Sequence, residues 1–275
     1  MRVAVTGAGG YIGRHVVDSL LELGHEVVAI DFFTDGINPK AELSDVSIFS
    51  GEKDIYNQLG CPDSVIHLAW KDGFVHNSNA HMDNLSSHYI FLRNLIDAGC
   101  KNIAVMGTMH EIGFYEGKID ENTPCNPLSQ YGIAKNALRQ ALLNYANDKV
   151  VNVFWLRAYY ILGDDKKNNS IFAKILSAVE EGKKEFPFTT GKNQYDFISV
   201  TELANQIAKA STQDIYTGII NVCSGKPMSL GDRVEQFIKE NNLDITLNYG
   251  AFPDREYDSK IEYGDNTIIE KIMAM

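Results

Sequence analysis

Thr6-Gly7-Ala8-Gly9-Gly10-Tyr11-Ile12-Gly13 is the stretch whose reading decides the fold of this 275-residue chain. It follows the apolar run Val3-Ala4-Val5 and precedes a pattern in which Ile12, Val16, Val17, Leu20 and Leu21 share one helical face. A strand therefore turns into a helix here. Each glycine has a steric reason: Gly7 for the sharp turn, Gly10 for close approach of a pyrophosphate, Gly13 for tight packing of helix on strand. The helix N-terminus adds unpaired N–H groups and a partial positive charge, so the turn reads as a phosphate-binding place.

The second strand extends that reading. Gly24 ends the helix, and Val27-Val28-Ala29-Ile30 runs into Asp31. An acid about 20 residues after the turn accepts hydrogen bonds from ribose hydroxyls and repels a 2′-phosphate. NAD is therefore expected in preference to NADP. The other reading of Asp31, a solvated side chain opening the loop 32–40, stays open.

The bulk properties bound the function class. The length suits one large α/β domain or such a domain with an added lobe. A formal charge of −11 argues against nucleic acid or an anionic membrane as the main partner. There is no apolar run of bilayer length, and the first residues already read as a core strand, so no signal peptide and a cytoplasmic location are expected. Cys61, Cys100, Cys125 and Cys223 lack paired spacing, and the seven histidines lack ligand spacing, so no metal is expected.

Further along, a short strand is expected at 46–49, and Asp54-Ile55 at the end of it is placed to meet an adenine ring. Val65-Ile66-His67-Leu68-Ala69 reads as a strand buried on both faces, with His67 a hydrogen-bonded core residue. Its exit, Leu68-Ala69-Trp70, lies where ligands collect in such sheets. A loop at 70–83 leads to a helix at 84–98 with Asn84 as a candidate N-cap. The next strand opens into Gly107-Thr108-Met109-His110-Glu111, which leaves Thr108 at its carboxyl end. Tyr131 and Lys135, four apart, project from one face of a helix. An ammonium beside a phenol favours the phenolate and would pull its pKa down from about 10, although such a pair also occurs as a plain surface contact. A sixth strand at 150–156 ends in Arg157. Beyond 163, helices at 171–181, 201–210 and 230–241 alternate less regularly with short strands. Arg255 is a candidate phosphate fork or a surface salt bridge.

These features give a Rossmann-type doubly wound α/β fold. Residues 1–160 form its dinucleotide-binding part. Residues 161–275 form mainly a substrate-binding lobe, with segments returning to the core.

Taken together, the glycine turn, Asp31, Leu68-Ala69, Thr108 and Tyr131-x-x-x-Lys135 resemble the extended short-chain dehydrogenase/reductases, the NAD-dependent epimerase/dehydratase group, in its nucleotide-sugar branch. Gln194-Tyr195-Asp196-Phe197-Ile198-Ser199-Val200 and Asn221-Val222-Cys223-Ser224-Gly225 carry the likeness towards the C-terminus. The resemblance implies that Tyr131 is the general acid, that Lys135 tunes it and holds the nicotinamide ribose, and that Thr108 bonds the reacting oxygen where relatives often carry Ser. It implies a cofactor site of Gly7, Gly10, Tyr11, Ile12, Gly13, Asp31, Phe32, Asp54, Ile55, Leu68, Ala69, Trp70, Asn84, Tyr131 and Lys135. The substrate side is Thr108, Met109, His110, Tyr160 and Arg255.

The same resemblance narrows the reaction. Dehydratases carry an Asp-Glu pair after the Thr, and relatives that epimerise next to a 4-keto group before reducing it a Cys; Met109-His110 supplies neither. Tyr160-Ile161 stands where 4-epimerases usually carry Asn-Pro. The expected activity is reduction at C4 of a dTDP-linked 4-keto-6-deoxyhexose for surface-polysaccharide synthesis. A 4-epimerase with tightly held NAD is the alternative, and a non-catalytic dinucleotide sensor or scaffold a further one, against which Tyr131 and Lys135 speak. A homodimer is expected through helices 84–98 and 128–147, using Tyr89, Phe91, Leu92, Leu138, Leu142 and Tyr145.

Overall fold

The glycine turn leaves the end of the central strand, β1 (Arg2–Thr6), and enters α1 (Tyr11–Glu22). The structure, a computed structural model, describes residues 1–163, 170–254 and 259–275. After α1 come β2 (Glu26–Ile30), β3 (Glu42–Ser44), α2 (Ile55–Gln58), β4 (Ser64–His67), α3 (Ala80–Asp83), α4 (Leu85–Asp97) and β5 (Asn102–Thr108). A 3-10 turn (Met109–Glu111) precedes β6 (Gly117–Ile119), α5 (Gln130–Ala146), β7 (Asn152–Ala158) and β8 (Tyr160–Leu162). The remainder is α6 (Ile171–Glu180), β9 (Glu185–Pro187), β10 (Gln194–Ser199), α7 (Val200–Ser211) and β11 (Gly218–Val222). It closes with β12 (Pro227–Ser229), α8 (Leu230–Glu240), β13 (Thr246–Asn248), β14 (Ile261–Gly264) and α9 (Thr267–Met273).

The main sheet is parallel and seven-stranded, in the order β11-β7-β5-β4-β1-β2-β3. Its central strands are apolar on both faces because helices cover both. Val3, Val5, Ala104, Phe154 and Leu156 meet α1, α7 and α9 on one side. Val65, Ile103, Val105 and Trp155 meet α4 and α5 on the other. The chain builds outward from β1 through β2 to β3, then restarts at β4 on the opposite side, where Thr6 lies opposite His67. That reversal opens the crevice at the carboxyl ends of the strands.

A second sheet, β12-β10-β14-β6, with β8 on β10, stands beyond those ends. Phe172, Ile175, Phe188, Val234, Ile238 and Ile245 form a separate small core there. The α7 helix and β11 return to the main sheet from that half, and β6 reaches the second sheet from the first half.

Several local expectations are corrected. Residues 46–49 are not a strand: β2 takes Glu42–Ser44 as its partner, and Val46 and Ile48 pack instead against the core. Residues 70–83 are not all loop, since α3 lies within them. Asn84 does not cap α4 with its side chain, which donates to Ala80 O at 2.9 Å. Strand β7 runs on to Ala158, so Arg157 sits within it and is fully buried. Of the residues expected at a dimer face, Phe91, Leu92, Leu138 and Leu142 fill the monomer core. The apolar stripes of α4 and α5 turn towards the sheet, as amphipathic helices do in a layered fold. Tyr89 and Tyr145 remain half-buried and meet each other edge to face.

Candidate active site

The glycine turn is held by close packing. Gly7 has φ +74°, and a Cβ there would lie 2.6 Å from Ala69 N, so the turn rides against the exit of β4. A Cβ on Gly13 would lie 2.0 Å from Gly7 O. Gly9 matters as well: its N–H donates to Asp31 Oδ2 at 3.0 Å, and a Cβ would strike Phe33 O at 1.8 Å. The other carboxylate oxygen of Asp31 accepts from Phe33 N at 3.0 Å. The carboxylate is thus fixed across the turn. Gly10 stands at the N-cap of α1, and no side chain caps that helix.

This donor set fits a dinucleotide. An uncapped helix N-terminus suits a diphosphate, a fixed carboxylate at the tip of β2 suits a ribose diol, and Phe32, 89% exposed, offers an apolar face beside it. Asp54 is exposed and accepts from its neighbour Asn57. Ile55 is buried in the core between the sheet and α4. Tyr11, the first residue of α1, reaches Gly163 after β8, where its hydroxyl leaves no room for a side chain. Ile12 packs on the core under α1.

At the β4 exit, Leu68 packs on the core and Ala69 N donates to Thr6 Oγ1 at 3.3 Å. Trp70 is the centre of an unexpected arrangement. Its indole N–H donates to His81 Nδ1 at 3.0 Å, and its ring stacks on His88 with centroids 4.4 Å apart. His81 Nε2 stands 3.0 Å from Val75 O, which assigns its proton to Nε2. His67 bonds Thr6 Oγ1 and His88 Nδ1, each at 2.8 Å, and so is a core histidine. Burial, then mutual and Lys135 charge repulsion, holds His67 well below the ordinary histidine range; burial and Lys135 bring His88 down to about 3.

Thr108, Tyr131 and Lys135 converge. The Thr108 hydroxyl accepts from His110 N at 3.3 Å, and α5, which carries Tyr131 and Lys135, packs on the end of β5 and on the 3-10 turn that follows it. Lys135 Nζ donates to Met106 O at 2.7 Å, lies 3.8 Å from the Trp70 ring centroid, and is 6.0 Å from that of Tyr131. Ser129 caps α5 by accepting from Gly132 N, which fixes the start of the helix that carries both residues. The expected lowering of the phenol pKa is not what this geometry gives. Burial raises the Tyr131 pKa, against the nearby Thr108 side chain and with the Glu111 charge. Burial also draws Lys135 down to about 7, against Glu111. The phenol is therefore held as a proton donor.

Around it, His76 stacks on the Tyr131 ring at 5.6 Å and touches His110 at 4.4 Å, and His76 O accepts the Tyr131 N–H at 2.8 Å. Burial, then His76, lowers His110 to about 4. Met109 is buried with Ile112, Ile119, Tyr159 and Cys223, so it shapes the wall behind the site. Tyr160 lies at the second sheet, against Tyr195 at 4.4 Å and with its hydroxyl 3.3 Å from Glu262. Asn84 stands between α3 and α4. Arg255 lies outside the described residues.

Residues 3–223 match the NAD dependent epimerase/dehydratase family. The chain belongs to that family. This member is 47% identical over 271 residues, 96% of this chain and 99% of the relative, to a dTDP-6-deoxy-L-talose 4-dehydrogenase (NAD(+)) of Aggregatibacter actinomycetemcomitans. It is 26% identical, over 84% of itself and 79% of the relative, to a putative UDP-glucose 4-epimerase of Methanocaldococcus jannaschii. The UDP-glucose 4-epimerase of Thermotoga maritima, solved with UDP-glucose, has the same fold: TM-score 0.82 at 22% identity, covering 98% of this chain and 92% of that one.

Three site features escaped the sequence reading of this family member. Gly9 supports Asp31; its signal was a fourth glycine in a turn that needs three. The histidines at 76, 81 and 88 gather around Trp70 and Tyr131 from separate elements, which no local spacing shows. Glu111 bonds the main chain of Thr108 at 2.8 Å. Thr108-x-x-Glu111 is a capping-box pattern and was visible in the sequence.

Proposed function

We propose that the protein is an NAD-dependent nucleotide-sugar oxidoreductase that reduces a dTDP-linked 4-keto-6-deoxyhexose at C4 for surface-polysaccharide synthesis. The observation that carries this reading is the end-to-end 47% identity to the talose 4-dehydrogenase. Tyr131 beside Lys135 on α5, packed on the end of β5 that carries Thr108, supports it from the chemistry. NAD, when bound, supplies or accepts the hydride. Gly7, Gly9, Gly10, Gly13 and the α1 N-terminus would hold its diphosphate, and Asp31 its adenosine ribose. Tyr131 gives its phenolic proton to O4 of the sugar as the carbonyl is reduced. Thr108 orients that oxygen, and the Lys135 ammonium balances the resulting phenolate. His110 and Tyr160 face the sugar nucleotide, with residues 161–275 supplying most of its lobe. Placing Met109 and His110 after Thr108 leaves no carboxylate pair there for dehydration.

The test is to mix the protein with NADH or NADPH and a panel of dTDP-, GDP-, UDP- and CDP-linked 4-keto sugars, and follow absorbance of the reduced cofactor. NADH oxidation with dTDP-6-deoxy-L-lyxo-4-hexulose is expected. No oxidation with any sugar would overturn the reductase reading; epimerisation of a UDP-sugar by protein that co-purifies with NAD would replace it. We further infer a cytoplasmic homodimer, its contact lying on the outer faces of α4 and α5. Free cysteines among the described residues agree with a reducing compartment. Light scattering on the eluting protein tests the assembly, and a monomer mass would refute it.

A further inference from the structure

Glu111 is fully buried at the end of the 3-10 turn that follows Thr108. Every group facing its carboxylate is a donor. Thr108 N–H stands at 2.8 Å from Oε1, and Trp155 Nε1 lies 2.9 Å and 3.0 Å from the two oxygens. Arg139 Nε is at 3.3 Å and an Arg157 terminal nitrogen at 3.7 Å. A carboxylic O–H would have no acceptor among these partners, so these donors favour the ionised form and oppose the burial that raises the Glu111 pKa above the ordinary carboxylate range. The strand end is shaped around it. A Cβ on Gly107 would lie 2.2 Å from Trp155 Nε1 and 2.8 Å from Glu111 Oε1.

We propose that Glu111 is a positioning residue for the acid–base trio: its carboxylate locks the Thr108 main chain against Trp155 and presents a fixed negative charge to the buried Lys135 ammonium. The reading of the trio as an oxidoreductase site enters only through the effect on turnover. From α5, Arg139 reaches this carboxylate at 3.3 Å, with Lys135 one helical turn earlier on the same face, and from β7 Arg157 reaches it at 3.7 Å; the other Arg157 terminal nitrogen donates to Asp120 O at 3.1 Å. Burial works to discharge Lys135, and Glu111 opposes it. Without that charge the amine would hold its proton less tightly, and the phenolate left by proton transfer would have a weaker counter-ion.

The test is Glu111→Gln, which keeps the shape and an acceptor for Thr108 N–H but removes the charge. With lysine labelled at Nζ with nitrogen-15, and Lys135→Met to assign its resonance, the Lys135 titration midpoint should fall by about one pH unit. Glu111→Asp, which keeps the charge and draws it back by one methylene, should lie between the two and serves if the Gln variant does not fold. In turnover, Glu111→Gln should lower kcat by about 10- to 100-fold, with the sugar KM within about 3-fold. The alkaline limb of the pH profile should move down with the Lys135 midpoint, because activity is lost as the ammonium deprotonates. An unchanged midpoint, or an unchanged kcat and alkaline limb, would overturn the proposal. Absence of turnover in the parent protein would sink the functional reading instead, and the lysine titration would still decide the role of Glu111.

Discussion

His88 should make the fold acid-sensitive by a calculable amount. It is buried, accepts or donates through Nδ1 to His67, and stacks on Trp70. Burial first, and Lys135 second, bring its pKa from 6.5 down to about 3. In the unfolded chain the ring binds a proton as pH falls through 6.5, while in the native chain it stays neutral until about pH 3. The unfolded state therefore binds more protons throughout that window, and stability is whole above it and falls as the solution is acidified. Between pH 7.5 and pH 4.5 the loss is two pH units below the ordinary value, or about 2.7 kcal/mol. That figure depends only on the native pKa lying below the lower pH. His88→Gln retains an amide to meet His67 and removes the titration. Urea unfolding at both pH values, followed by the fluorescence of Trp70 and Trp155, should show the parent losing about 2.7 kcal/mol more than the variant. Equal losses in the two proteins would refute the assignment of a neutral buried His88.

Replacing Tyr131 by Phe should abolish turnover while NADH affinity, measured by fluorescence, changes less than about 3-fold, because the phenol and not the ring carries the proton. Asp31→Ser should weaken NADH binding by about 10-fold and narrow its preference over NADPH, since the carboxylate that repels a 2′-phosphate is gone; an unchanged ratio of affinities would remove Asp31 from the ribose site. Gly9→Ala places a methyl on Phe33 O and should cost about 1–3 kcal/mol in urea unfolding along with cofactor affinity. Ser129→Ala, which removes the α5 cap, should cost about 1 kcal/mol, read by the same unfolding experiment.

The parallel sheet was legible because its strands repeat one signal: short apolar runs that helices cover on both faces. The glycine turn was legible because its steric demands are local. Strand β3 was not, since its residues Glu42, Leu43 and Ser44 carry no buried alternation and are ordered by pairing to β2. The apolar residues at 46–49 drew the expectation because burial, not strand pairing, is what they report. The assignment of Phe91, Leu92, Leu138 and Leu142 to an interface failed for a related reason. An apolar stripe on a helix states that it is buried but not against what, and here the sheet takes it.

Spacing singled out Tyr131 and Lys135, and the family resemblance gave them and Thr108 their expected roles, yet the electrostatics of the pair run opposite to the expectation. A pair four apart on a helix was read as an ammonium lowering a phenol, which holds where solvent leaves both groups charged. In the folded chain Lys135 is withdrawn under Trp70 and bonded to Met106 O, and burial dominates both groups. The consequence for a reductase is favourable. A phenol that resists ionisation keeps its proton until an alkoxide forms on the sugar, and an amine near its own midpoint responds to small changes in nearby charge. Control of the proton is thus shared with groups that no short motif joins to Lys135, Glu111 on one side and the Trp70–His88 stack on the other, which the packing of β5, β7, α4 and α5 gathers around that helix face.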